Sequence, residues 1–163
     1  MTEKLKWYGA LAAATALTAC AVPAAAQITG RASVIDGDTL EIQGQRIRLW
    51  GIDAPESRQT CTRSVETYRC GQVAANRLDQ HIASRPVVCV QVDIDRYRRV
   101  VARCSVGRAD LGSWLVREGL AVRYPEYAGL SYVVEETAAR RARRGVWSGP
   151  FDLPWEWRRD RRR

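Results

Sequence analysis

The sequence has a single histidine, His81, and no Cys-x-x-Cys pair, so the common ligand sets of a zinc site are missing. No serine stands in a Gly-x-Ser-x-Gly setting, which removes the nucleophile elbow of a serine hydrolase. The longest apolar run, Trp7 to Val22, falls short of the ~20 residues that a membrane-spanning helix requires. His81 has no partner for acid–base work and reads as a residue on a helix surface. What remains is a chain of 163 residues, enough for one compact domain with a leader and a tail.

The first 26 residues read as an export signal. Lys4 and Lys6 precede the apolar run, and Ala24-Ala25-Ala26 before Gln27 is a small-residue cleavage pattern. Leu17-Thr18-Ala19-Cys20 competes with it, because it resembles a bacterial lipobox with Cys20 as the lipidated residue. The first site predicts a periplasmic or extracellular protein, and the second predicts a lipid anchor at the cell envelope. Neither leaves an integral membrane span.

Four cysteines follow the leader: Cys61, Cys70, Cys89 and Cys104. An even number in an exported chain favours disulfides, with three possible connectivities. Cys89 and Cys104 are equidistant from the midpoint between Arg96 and Tyr97. A hairpin turning there sets them opposite each other, which leaves Cys61 to pair with Cys70.

The charge is uneven. The chain carries 26 basic and 18 acidic residues, yet from Arg140 onward nine arginines face only Asp152, Glu156 and Asp160. Residues 149–163 therefore read as an Arg- and Trp-rich tail, and the body is close to neutral. Such a tail attracts polyanions or simply stays solvated.

Alternation predicts strands in residues 30–50, where Leu40, Ile42, Ile47 and Leu49 are spaced by polar residues. Asp36-Gly37 and Gly44-Gln45 supply turns. A helix is expected over 65–83, strands over 87–92 and 100–106, a helix over 110–118 stopped by Gly119, and a last helix over 130–144. This order suits an α+β domain that is mainly β: a five-stranded Greek-key OB-type barrel with three helices, spanning residues 27–148.

Three stretches gather acids and arginines at turns: Val34-Ile35-Asp36-Gly37-Asp38-Thr39, Arg48-Leu49-Trp50-Gly51-Ile52-Asp53-Ala54-Pro55-Glu56 and Asp95-Arg96-Tyr97-Arg98-Arg99. Singly, each has an ordinary reading as a hairpin turn, a loop or a solvated corner. Together they supply hard oxygen ligands for Ca²⁺ or Mg²⁺, a spare carboxylate to take a proton from water, and guanidiniums for phosphate.

These blocks, in this order and spacing, resemble the signature of the staphylococcal nuclease (thermonuclease) family. Glu118-Gly119-Leu120-Ala121 and Arg144-Gly145-Val146-Trp147 resemble it too, so the likeness covers roughly residues 30–148. The resemblance implies a nuclease that hydrolyses DNA and RNA with little sequence preference and leaves 3′-phosphate ends. It implies one Ca²⁺ held by Asp38, Asp53 and the Ala54 backbone carbonyl, with Asp36 tuning the site from behind. Glu56 is implied as the general base, Arg48 and Arg99 as phosphate clamps, and Arg96, Tyr97, Tyr124 and Tyr127 as substrate contacts. A monomer is expected. Two departures stand out: Ala54 replaces the Thr of some members, and Arg98 replaces a usual Gly. Should that position need a left-handed backbone, Arg98 costs about 1 kcal/mol and bears on Arg99. Competing readings on the same fold are an inactive nucleic-acid-binding module and an envelope accessory protein.

Overall fold

A computed structural model describes residues 26–161. The export signal and Cys20 therefore lie outside the described residues, as do Arg162 and Arg163. Strands β1 (Gln27–Val34), β2 (Thr39–Ile42) and β3 (Gln45–Leu49) form an antiparallel meander. The short β4 (Ile52–Asp53), a hairpin of β5 (Cys61–Arg63) and β6 (Glu66–Tyr68), and helix α1 (Cys70–Ile82) follow. Strands β7 (Pro86–Ile94) and β8 (Val100–Val106) form the second large hairpin, and β7 pairs with β1. Strand β8 then runs parallel to β3, with Arg48 opposite Val101, and this pairing closes a five-stranded barrel. The chain continues through β9 (Ala109–Asp110), α2 (Leu111–Arg117) and β10 (Val122–Arg123). It ends with α3 (Pro125–Ala128), α4 (Val133–Arg141), a 3-10 turn at Gly145–Ser148 and α5 (Pro154–Asp160).

The pattern of burial explains the closure. Leu40, Ile42, Ile47 and Leu49 point inward on alternate positions and meet Val87, Cys89, Val100, Ala102, Cys104 and Val106. Helix α1 adds Ala74, Leu78 and Ile82 at four-residue spacing, so one stripe faces the barrel. Burying each Leu or Ile contributes roughly 1.5–3 kcal/mol against the entropy of ordering the chain. Both expected disulfides are present. Cys89 lies opposite Cys104 in the hairpin register, and Cys61 is bonded to Cys70 with Cα atoms 5.6 Å apart.

Three expectations shift. The β2–β3 turn is Gln43-Gly44, with φ of 53° and 78°, one residue earlier than Gly44-Gln45. The first helix starts at Cys70 rather than Val65, because residues 66–68 pair back on 61–63 around Ser64 at φ 55°. The helix expected over 130–144 is confined to Val133–Arg141, since Gly129 at φ 54° and Tyr132 at φ 64° separate it from α3. The expected three helices correspond to α1, α2 and α4, and the short α3 and α5 join them.

Candidate active site

The carboxylates meet where the loop before β2 touches the loop after β4. Asp38 N donates to Asp36 Oδ1 at 3.0 Å, and Leu49 N donates to the Asp38 carbonyl at 2.8 Å, which ties the loop to β3. A Cβ on Gly37 would stand 2.6 Å from Ala54 Cβ and 2.9 Å from Ala74 Cβ, so only glycine lets the two loops close. Gly71 does the same at the head of α1, where a side chain would collide with the Glu56 carbonyl.

Asp38 is buried and Asp53 is completely so. Asp38 Oδ2 accepts from Ala54 N at 3.1 Å and lies 3.2 Å from Arg48 Nη2. Asp53 Oδ1 accepts from the same Arg48 Nη2 at 2.7 Å. A second guanidinium arrives from α5: Arg158 Nη1 donates to Asp53 Oδ1 at 3.1 Å and Glu56 Oε1 at 2.7 Å, and Nη2 donates to Asp53 Oδ2 at 2.7 Å. Buried carboxylates need such partners, because an uncompensated charge away from water is costly.

Four carboxylates, Asp36, Asp38, Asp53 and Glu56, thus share one corner with two guanidiniums, leaving two negative charges uncompensated. Burial dominates the titration of this corner. Burial, reinforced by the Asp38 charge, pushes the Asp36 carboxyl up to about 6. Burial also raises Asp53, and the bonds from Arg158 counter it only in part. Burial alone would lower Arg48, but the charges of Asp38 and Asp53 outweigh it and hold the guanidinium firmly protonated.

Among the described residues, no three acidic, histidine or cysteine side chains converge into a ready-made metal cage. The donor set is instead a pair of hard carboxylates, Asp38 and Asp53, within a group of four whose formal negative charge exceeds the charge of the two guanidiniums. That suits a hard divalent cation that keeps much of its shell as water.

The staphylococcal nuclease homologue family matches residues 46–149, well over half of the chain. The chain belongs to that family. A succinoglycan biosynthesis protein, ExoI, of Rhizobium meliloti (strain 1021) is 42% identical over 144 residues, covering 85% of this chain and 74% of its own. A micrococcal nuclease of Shigella flexneri is 33% identical over 177 residues, covering 98% and 96%. An uncharacterized endonuclease of Escherichia coli is 31% identical over 141 residues, covering 82% and 86%. Nucleases of the staphylococcal type are typically metal-dependent.

Of the residues that the family resemblance singles out, Asp36, Asp38, Arg48, Asp53, Ala54 and Glu56 come together. Arg99 does not join them by contact. It follows a turn in which Arg98 takes the left-handed backbone at φ 64°, the conformation that favours glycine. Its guanidinium is held by Asp95, with Nε and Nη2 each 2.7 Å from Oδ2. Burial would raise Asp95, but the bonds from Arg99 and the Tyr97 amide bring it below the usual carboxylate range. Arg96 and Arg99 lie over the exposed Tyr97 ring at 5.0 and 5.5 Å. Tyr127 is exposed and meets Tyr124 in a T-shaped contact, while Tyr124 also stacks on Trp155 at 5.0 Å. His81 sits half-buried on α1, stacked on Trp114 at 3.8 Å, and burial lowers its pKa.

The tail corrects the sequence reading. It is neither merely solvated nor separate, since Arg158 brings positive charge onto the carboxylate corner that the charge count had left near neutral. The family match ends at residue 149, before α5 begins. Pro154 at the first helical position, with Glu156 in the first turn and apolar Phe151, Leu153 and Trp155 nearby, was the available signal of a docked helix.

Proposed function

We propose that the protein is an exported, calcium-dependent nuclease that hydrolyses phosphodiester bonds of DNA and RNA with little sequence preference, leaving 3′-phosphate ends. The observation that carries this reading is the buried Asp38–Arg48–Asp53 cluster beside Glu56, whose three carboxylates outnumber the two guanidiniums, Arg48 and Arg158, that pair with them. Asp38, Asp53 and the Ala54 carbonyl would hold Ca²⁺, with Asp36 behind them. The ion's chemistry there is Lewis-acid polarisation of the phosphate. Glu56 takes the proton from the attacking water. Arg48 stabilises charge on the phosphate oxygens as phosphorus becomes five-coordinate. Arg99 joins as second clamp by exchanging Asp95 for phosphate. Arg96, Tyr97, Tyr124 and Tyr127 support the flanking chain.

Export through residues 1–26 agrees with the two disulfides, which persist in oxidising compartments. Cleavage before Gln27 releases the protein, and lipidation at Cys20 keeps it at the envelope. Among the described residues no helix is long and apolar enough to cross a membrane. A second reading, an accessory protein of the cell envelope, draws on the relative named for succinoglycan biosynthesis. The full set of Arg48, Glu56 and Arg99 favours the enzyme.

The test is digestion of labelled DNA and RNA by the purified protein with Ca²⁺, followed by end-group analysis. Cleavage that EDTA stops, with 3′-phosphate ends, is expected. Inert nucleic acid under these conditions contradicts the reading.

A further inference from the structure

Glu56 lies on a loop with its side chain 36% exposed, and among the described residues its carboxylate has one hydrogen-bond partner, Arg158. A general base works only when its free oxygen is aimed at the water it deprotonates. Arg158 engages Oε1 and leaves Oε2 unengaged, while its other donors grip both oxygens of the fully buried Asp53. The planar guanidinium therefore locks the base to the rigid floor of the site. Its bonds span more than a hundred residues of sequence.

The helix that carries Arg158 is built into the wall of the site. Phe151, Leu153 and Trp155 pack with Trp147, Tyr68 and Val146 around the Cys61–Cys70 bridge. Gln59, completely buried, donates through Nε2 to the Asp152 carbonyl at 2.6 Å and accepts from Glu56 N at 3.2 Å. Thr62 N donates to the Pro150 carbonyl at 3.1 Å. Thus the loop that bears Glu56 is fixed to the tail by backbone as well as by side chain.

We propose that Arg158 is a positioning residue of the active site, delivered by α5, which holds Glu56 in register with Asp53 for proton abstraction. The proposal rests on the nuclease reading above. Two negative charges remain after Arg158 is counted, so it complements a divalent cation rather than replacing one. The competing role for a guanidinium on a candidate metal ligand is a plug that keeps the cation out, and it makes opposite predictions.

Arg158→Ala, Arg158→Lys and, as a control on the same helix, the exposed Arg159→Ala are compared with the wild type. Steady-state kinetics on an oligonucleotide, Ca²⁺ calorimetry and thermal melts are measured for each. For Arg158→Ala we expect kcat to fall about 10- to 100-fold with little change in KM, and ethylguanidinium added to the folded protein to restore part of the loss. Arg158→Lys keeps the charge without the fork and falls between. Arg159→Ala matches the wild type. Ca²⁺ binding by Arg158→Ala is as tight as the wild type or tighter. Unchanged kcat overturns the proposal, and a raised kcat with tighter Ca²⁺ establishes the plug instead. A loss that guanidinium cannot rescue and that tracks melting also overturns it. Independently of turnover, the Glu56 carboxylate ¹³C resonance, assigned through Glu56→Gln, should shift in Arg158→Ala; an unmoved resonance denies the contact. A wild type inert on nucleic acid sinks the nuclease reading, whereas an active wild type with an unaffected Arg158→Ala sinks this proposal alone.

Discussion

Arg48 Nη2 lies 2.7 Å from Asp53 Oδ1 and 3.2 Å from Asp38 Oδ2, so one nitrogen bridges two buried carboxylates, one from the loop before β2 and one from β4. Arg48→Ala would leave both carboxylates facing each other without that charge, and such losses cost about 3–5 kcal/mol. Urea denaturation should show a destabilisation of that order, and Ca²⁺ should return part of it by binding only the folded state. A variant as stable as the wild type would mean that the bridge is not formed in solution.

Asp36 gives the site a pH signature. Its carboxyl titrates at about 6 in the fold against an ordinary 3.8, so the folded chain binds this proton more tightly than the unfolded one. The stability this contributes is fully present below 3.8 and is lost as pH rises through 6. Asp36→Asn removes the penalty and should stabilise the Ca²⁺-free protein near neutral pH, by at most about 3 kcal/mol, with no gain near pH 4. Melting curves across that range check it, and a gain that is flat with pH contradicts it.

The two disulfides should separate stability from activity. Cys89–Cys104 lies inside the barrel, so replacing both by serine lowers the melting temperature and leaves kcat of the folded fraction unchanged. Cys61–Cys70 seats the residues that carry α5, so its double serine variant loses about 2–3 kcal/mol and also loses turnover. Equal effects on kcat from both variants would contradict the anchoring of α5.

We expect the end of the tail to act chiefly by charge. Truncation after Asp160 keeps Arg158 and removes three arginines, so kcat should hold while the salt dependence of DNA binding becomes shallower, by about 1 in slope for each phosphate that is no longer neutralised. Truncation after Trp157 should lower turnover as well. An unchanged salt slope would mark the last arginines as solvated only.

The barrel was legible because its signals are local. Alternation at Leu40, Ile42, Ile47 and Leu49 and the symmetry of Cys89 and Cys104 about the Arg96–Tyr97 midpoint each need only a short window. The acidic blocks were legible for the same reason. Arg98 beside Arg99 correctly marked a left-handed position. What escaped was long-range. Nothing near Arg158 announces that a buried Gln59 almost a hundred residues earlier will hold its helix down, or that Glu56 will be its partner. The early helix start failed differently: residues 65–69 are polar enough for either state, and the Cys61–Cys70 bridge favours the hairpin. Charge counted along the chain also misled, because the fold returns one tail arginine to the carboxylates.

We propose that the corner formed by Asp38, Arg48, Asp53 and Glu56 performs the hydrolysis. Glu56→Gln tests it most directly, since the amide keeps the shape of the side chain and cannot accept the proton. With Ca²⁺ present, turnover and oligonucleotide affinity are measured side by side for the variant and the wild type. A fall in kcat of about 10²- to 10⁴-fold with affinity retained is the expected result. Wild-type turnover in Glu56→Gln would contradict the claim.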